Sequence, residues 1–152
     1  MDELFMVRQA TKKDLDHIAV LFNDYRLFYK QDADLEGARA FLAERLELNE
    51  SVIFMVIDRS SNQPVAFTQL YPSFSSISME RAWILNDLYV SADYRRQGLA
   101  QLLLEAAKRH AIDTNSKGLS LSTAIDNDVA QKLYESNGFV KDEGFFHYDL
   151  NV

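Results

Sequence analysis

A mixed α/β sheet covered by helices is the fold class this sequence predicts, and three observations predict it. Apolar, β-branched runs such as SVIFMVID (51–58) and RAWILNDLYV (81–90) stand apart from stretches whose apolar residues recur at helical spacing. A turn-rich RSSNQP (59–64) separates two of the extended runs, which puts a meander in the middle of the chain. Helical stretches flank that meander on both sides. The order is β-α-α-β-β-β-α-β-α-β-β. It is read as one domain over 1–152, since no repeat, low-complexity tract or Gly/Pro-rich linker divides the chain.

FMVRQA (5–10) is the first strand. Thr11 caps the helix that follows, and Asp14, three residues on, accepts amide hydrogen bonds or favours the dipole. Leu15, Ile18, Ala19, Phe22, Tyr25 and Tyr29 recur at helical spacing through about Lys30. After the polar QDAD break, a second helix fits LEGARAFLAERLEL (35–48). VAFTQLYPSF (65–74) completes a hairpin with 51–58, and the largely apolar 81–90 reads as a central strand. Leu99, Leu102, Leu103, Ala106, Ala107 and His110 form one stripe on the helix after Gly98. Gly118 ends the next connection, LSLST (119–123) is a short strand, and NDVAQKLYESNG (127–138) is a short helix stopped by Gly138. FVKDEGFFHYDL (139–150) reads as a closing hairpin around Glu143-Gly144.

Composition excludes several chemistries. The 152 residues include no cysteine, so there is no disulfide, thiolate metal site or cysteine nucleophile. His17, His110 and His147 lie far apart and match no metal-ligand spacing, so no metal is expected. A net charge of −7 argues against nucleic acid as a partner and is compatible with a cationic substrate. No apolar run reaches the roughly 18–20 residues of a membrane span. The start Met1-Asp2-Glu3 lacks the basic and apolar regions of a signal peptide, and a cytoplasmic location is expected.

Against this acidic background, Arg95-Arg96-Gln97-Gly98-Leu99-Ala100 stands where an extended segment becomes helical. A helix start offers first-turn amides and a positive dipole end. Gly98 lets a ligand approach the backbone, small Ala100 keeps the next amide accessible, and Arg95 and Arg96 add charge. Such a junction suits a phosphate or pyrophosphate. The competing reading is a loop of solvated arginines whose glycine eases the turn. The stretch is neither a Gly-x-x-x-x-Gly-Lys-Ser/Thr loop nor a Gly-x-Gly-x-x-Gly fingerprint.

Arg95 to Ala100 resembles the Arg/Gln-x-x-Gly-x-Gly/Ala motif of the GNAT superfamily of N-acetyltransferases, which binds the pyrophosphate of acetyl-coenzyme A. LNDLYV followed by SADYR is similar to that family as well, particularly to its diamine and polyamine acetyltransferases. Asn127 to Phe139 resembles its Asn-x-x-Ala-x-x-Leu-Tyr-x-x-x-Gly-Phe signature, and the element order fits over essentially the whole chain. The resemblance implies a GNAT-like fold with acetyl-coenzyme A as cosubstrate. It implies that backbone groups of Leu88, Tyr89 and Val90 pair with the pantetheine arm like an added strand. Amides of Arg96, Gln97, Gly98, Leu99, Ala100 and Gln101, with Arg95 beside them, would hold the pyrophosphate. Asn127 would bond the pantetheine, and Tyr134 would sit beside the thioester sulfur. On the residues alone, Asn127 is also a plain N-cap and Tyr134 a core aromatic.

Acyl transfer to an amine needs a neutral nitrogen, a donor for the oxyanion and a proton for the departing thiolate. A free alkylamine has a pKa near about 10.4, so a proton must be removed or the minor neutral fraction selected. With no cysteine for an acyl-enzyme, direct transfer in a ternary complex is expected. The resemblance assigns an amide of Leu88, Tyr89 or Val90 to the oxyanion and Tyr134 to the thiolate. Polyamine acetyltransferases often carry Glu where this chain has Asn86, which takes no proton and is left to line the substrate site. The candidate bases are Asp87, which strand alternation points to the opposite face unless a bulge intervenes, and Glu80 working through water.

Tyr25, Phe28 and Tyr29 fall where the family builds its acceptor groove, and they line it or pack in the core. The expected acceptor is a small-molecule amine. A protein lysine or N-terminal amine is the alternative, and a non-catalytic acyl-coenzyme A sensor, which would dispense with Tyr134, is a further one. The family is often dimeric, and Phe145, Phe146 and Tyr148 suit sheet pairing across a two-fold, so a homodimer is expected.

Overall fold

A computed structural model describes residues 3–152, so Met1 and Asp2, read above for a leader, lie outside the described residues. The chain forms two compact units, one running to Leu121 and one over Ser122–Val152. In the first, strands β1 (Phe5–Gln9), β2 (Val52–Asp58), β3 (Gln63–Ser75), β4 (Glu80–Val90) and β5 (Leu119–Ser120) make one sheet in the order β1-β2-β3-β4-β5. The first four pair antiparallel in sequence; short turns join β2 to β3 and β3 to β4, whereas the connection from β1 to β2 runs through two helices. β5 reaches β4 through a helix and pairs parallel to it, at Trp83 and Ile84.

Thr11 and Asp14 build the expected capping box, but the first turn, Lys12–Asp14, is 3₁₀ and the α-helix α1 runs from Leu15 to Phe28. Arg8 grips Asp14 with two hydrogen bonds of 2.8 Å, and Thr11 N–H donates a third of 2.8 Å. The Arg8 guanidinium, followed by the Thr11 amide, lowers the Asp14 carboxyl to about 2. Asp14→Ala is therefore expected to cost about 1 kcal/mol at neutral pH, the usual value of a cap, read as a lower urea midpoint. The carboxyl is held below its ordinary value, so its contribution is full above about 3.8 and is lost as pH falls toward about 2. The gap between wild type and variant should close in acid.

α2 (Leu35–Glu47), capped by Asp34, packs beside α1 on one sheet face, and α3 (Leu99–Asp113) covers the other. Ile18, Phe22, Leu42, Ile53, Met55 and Phe67 fill the first layer; Leu99 and Leu103 meet Phe5, Val56, Val65 and Ala66 in the second. α1, α2 and α3 end with Lys30, Asn49 and Asn115 in the left-handed region. Their last carbonyls accept paired return bonds, as in Gln31 N–H to Arg26 O at 2.9 Å and Lys30 N–H to Leu27 O at 2.9 Å.

The pairing of β4 with β3 has one irregularity. Gln69 pairs with Asp87 but Leu70 pairs with Leu85, so Asn86 is an extra residue. The bulge reverses which face the strand's residues meet. Trp83 lies against His110 of α3, whereas Tyr89 lies with Phe67 and Tyr25 on the α1 side.

In the second unit, α4 (Asp128–Ser136) is capped by Asn127 and stopped by Gly138 at φ +93°. The expected helix is present, and two other expectations are corrected. β5 ends at Ser120 instead of reaching 123, and the described residues after α4 contain no strand, so the closing hairpin over 139–150 is not formed. The local turn chemistry does appear, with Gly144 N–H donating to Asp142 Oδ1 at 2.9 Å. A strand also requires ladder partners for its backbone, and residues 139–150 have none.

Candidate active site

The junction after β4 is built as a bare helix start. A 3₁₀ turn at Ala92–Tyr94 leads to Arg95 in extended backbone, Arg96 at φ +64° and Gly98 at φ +78°. Gly98 is the N-cap of α3 and has no side chain to cap it, and no acidic residue lies in the first turn. The first intrahelical hydrogen bond runs from Leu102 N–H to Gly98 O at 3.2 Å, so the Leu99 and Ala100 amides precede it. Leu99 is 2% exposed and fixes the turn to the core, while Arg96, Gln97 and Gly98 are exposed. An anion fits this geometry; a carboxylate cap would have opposed it.

Arg95 departs from the expectation that both arginines flank the turn. Its Nε donates to Val90 O at 3.0 Å, and its guanidinium lies 5.0 Å from the Phe28 ring and 5.8 Å from Tyr89. On the other edge of β4, pairing with β5 stops at Ile84, so no strand of this unit runs beside Leu88, Tyr89 and Val90 there. That open edge is the kind an extended ligand arm can join.

Tyr25, Phe28 and Tyr29 do come together. Tyr25 meets Tyr29 at 5.1 Å, Phe67 at 5.6 Å and Tyr89 at 5.8 Å, and Phe28 meets Tyr29 at 5.4 Å and Tyr89 at 6.1 Å. Tyr25 is half-buried against the core, whereas Phe28 and Tyr29 are 56% and 57% exposed. The stripe therefore both packs and presents an aromatic wall.

The bulge that alternation required for Asp87 is present. Asp87 is buried on the α1 side, where Gln69 Nε2 donates to its Oδ2 at 2.8 Å and Asn86 Nδ2 to its Oδ1 at 3.2 Å. Burial first, and then the Asp87 charge, raise the Tyr25 phenol well above its ordinary value and push Tyr71 up to about 12. Both phenols stay neutral around this carboxylate. Glu80 is not brought to the bulge: it is exposed, faces Ser75 at the hairpin end of β4, and lies roughly 20 Å along the strand from Asp87.

The sequence reading missed Gln69 and Ser51, which share the Asp87 network. Its one signal was an amide inside the otherwise apolar VAFTQLYPSF run.

Asn127 and Tyr134 belong to the second unit. Asn127 Oδ1 accepts from Ala130 N–H at 3.1 Å, so it does serve as an N-cap. Tyr134 is half-buried on the same helix face as Ala130, Leu133 and Asn137, its ring edge-on to Phe139 at 5.8 Å. Among the described residues no group of three or more His, Asp or Glu side chains is placed to hold a metal. No described helix is long and apolar enough to cross a membrane. His110 is packed between Phe54 and Trp83, and burial lowers its pKa.

The first unit thus combines an uncapped helix start at Gly98 with a strand, β4, that is bulged at Asn86 and has no strand pairing beyond Ile84 on its β5 side. The acetyltransferase (GNAT) family model matches residues 18–139, and the chain belongs to that family of N-acetyltransferase enzymes. It is 51% identical over 146 residues to the uncharacterized N-acetyltransferase YhfO of Bacillus subtilis strain 168, covering 96% of this chain and 97% of the relative. A crystal structure of a probable acetyltransferase is 46% identical, with a TM-score of 0.92 over 97% of each chain. The aminoglycoside N-acetyltransferase AAC(6')-Iy in complex with CoA shares the fold at 19% identity, with a TM-score of 0.78 over 97% of this chain and 95% of that one.

Proposed function

We propose that this enzyme moves the acetyl group of acetyl-coenzyme A onto a primary amine of a small molecule, by direct transfer in a ternary complex. The observation that carries the reading is the Asn86 bulge, which sets a buried carboxylate, Asp87, on the sheet face where Tyr25, Phe28, Tyr29 and Tyr89 form the aromatic wall. That wall already holds a cation, the Arg95 guanidinium, and an ammonium is recognised by the same ring faces. A solved fold neighbour that is an aminoglycoside acetyltransferase lends support to a small polycationic acceptor.

When bound, the cosubstrate supplies the activated acetyl group. Its pyrophosphate is assigned to the amides from Arg96 to Gln101, which lead into and open α3, with the Arg96 side chain alongside, and its pantetheine arm to the Leu88–Val90 edge and Asn127. A backbone N–H of that edge stabilises the oxyanion. Asp87 takes the proton of the attacking nitrogen, Asn86 lines the acceptor side, and Tyr134 protonates the departing thiolate. The two units are read as one catalytic domain, in support of which the family match runs through both. Location in the cytoplasm is part of the proposal.

Assembly as a homodimer is also part of it. Phe145, Phe146 and Tyr148 are 78%, 90% and 91% exposed, an apolar run that a second copy would cover. Light scattering is expected to give twice the 17.5 kDa chain mass, and a concentration-independent 17.5 kDa species would rule the dimer out.

Thiol release from acetyl-coenzyme A, followed across a panel of diamines, aminoglycosides and peptides, tests the acceptor class. Small polycationic amines should turn over fastest. A preference confined to peptides would move the assignment to protein substrates.

A further inference from the structure

Behind the Asn86 bulge, side chains from three segments make a buried polar line. Ser51, just before β2, is 7% exposed, Gln69 0% and Asp87 6%. Ser51 Oγ donates to Gln69 Oε1 at 2.6 Å, and Gln69 Nε2 donates to Asp87 Oδ2 at 2.8 Å. The direction of each bond is dictated from one end. An ionised carboxylate only accepts, so the amide must present its NH₂ group, and its oxygen then takes a proton from the serine hydroxyl.

Three polar groups in the middle of a sheet cost stability unless each is satisfied, and aliphatic residues would have packed there without that demand. What the line achieves is alignment. Its dipoles point at one oxygen, a charge-assisted bond in a dry setting. The other oxygen, Oδ1, meets Asn86 Nδ2 at 3.2 Å, a longer contact to an exposed side chain.

We propose that Ser51 and Gln69 are positioning residues for the acetyl transfer: they tie down Asp87 Oδ2, so that Oδ1 is turned to the bulge to receive the acceptor's proton. This rests on the reading of Asp87 as the base. In the step the nitrogen–carbon bond forms and the carbon–sulfur bond breaks. The nitrogen's proton goes to Oδ1, and the sulfur takes the Tyr134 proton. Gln69 and Ser51 exchange no proton. The other titratable groups facing this carboxylate are Tyr25 from α1 and Tyr71 from β3, with Arg45 of α2 acting on Tyr71.

Gln69→Met keeps the volume and removes the amide; Ser51→Ala removes one oxygen at the far end. With an amine identified by thiol release, kcat, the KM for acetyl-coenzyme A and the rate–pH profile are measured for both, for the double variant and for Asp87→Asn. Gln69→Met should lower kcat roughly tenfold or more, the effect of one hydrogen bond to a charged group, with that KM unchanged. The acid limb of kcat/KM should move to higher pH, because the amide no longer favours the ionised carboxylate. Ser51→Ala should shift it the same way by less, and should add nothing to Gln69→Met. A folded Gln69→Met enzyme with wild-type kcat and acid limb, beside an inactive Asp87→Asn, overturns the positioning role alone. Normal turnover by Asp87→Asn overturns the base assignment and the positioning role with it. If Gln69→Met does not fold, Ser51→Ala decides: an unmoved acid limb overturns the proposal.

Discussion

Tyr134→Phe is expected to lower turnover by about 10²–10⁴, the usual worth of general acid catalysis, while acetyl-coenzyme A affinity changes by less than about 1 kcal/mol. The substitution keeps the ring and its edge-on packing against Phe139 and removes only the hydroxyl. A tyrosine that merely packs would behave differently, with near-normal turnover and some loss of melting temperature. Turnover, cofactor affinity and melting temperature on one preparation separate these outcomes. Near-wild-type turnover with a saturating acceptor would hand protonation of the thiolate to another group.

If the proposed pyrophosphate site holds, Gly98→Val should abolish the stabilisation expected of acetyl-coenzyme A on the wild-type protein. A ligand at a hundredfold excess over its dissociation constant, binding only the native state, stabilises by about 2.7 kcal/mol. Gly98 sits at φ +78° directly ahead of the first-turn amides, so a branched side chain is strained there and, on the proposed site, would stand in the pyrophosphate's way. Gly98→Asn separates the two effects. Asparagine tolerates the left-handed region, so this variant should melt near wild type and still show a diminished ligand shift. An undiminished shift in folded Gly98→Asn or Gly98→Val protein would remove the pyrophosphate from this junction.

Much of the fold could be read from periodicity, because apolar stripes and β-branched runs record which face is buried. The hairpin of β2 and β3 is an example, with its turn signalled by polar residues and Asn62 at φ +57°. Helix ends were less legible where Lys30, Asn49 and Asn115 took the left-handed position that a glycine would have announced. The closing hairpin failed for a different reason: turn residues at Glu143-Gly144 between apolar runs show a capacity to pair, whereas a strand exists only where a ladder partner is supplied.

At the candidate site, the helix start was legible because Arg-Arg-x-Gly is a local signal. The bulge was not, since an extra residue in β4 is defined only by its register against β3. For that reason Asp87 could be named from sequence but its face could not, and Gln69 and Ser51 could not be tied to it. Arg95 shows the same limit. Its charge was plain in the sequence, but its turn toward Phe28 and Tyr89 depends on where α1 ends.

The most direct measurement is the mass of both partners after reaction with acetyl-coenzyme A and the preferred panel amine. Direct transfer predicts that the amine gains one acetyl group in step with free thiol, that the mass of the protein is unchanged, and that Gly98→Asn and Tyr134→Phe each slow both signals together. Acetyl-coenzyme A that binds and stabilises the protein while every amine stays unmodified, or a protein that itself carries the acetyl group, would contradict it.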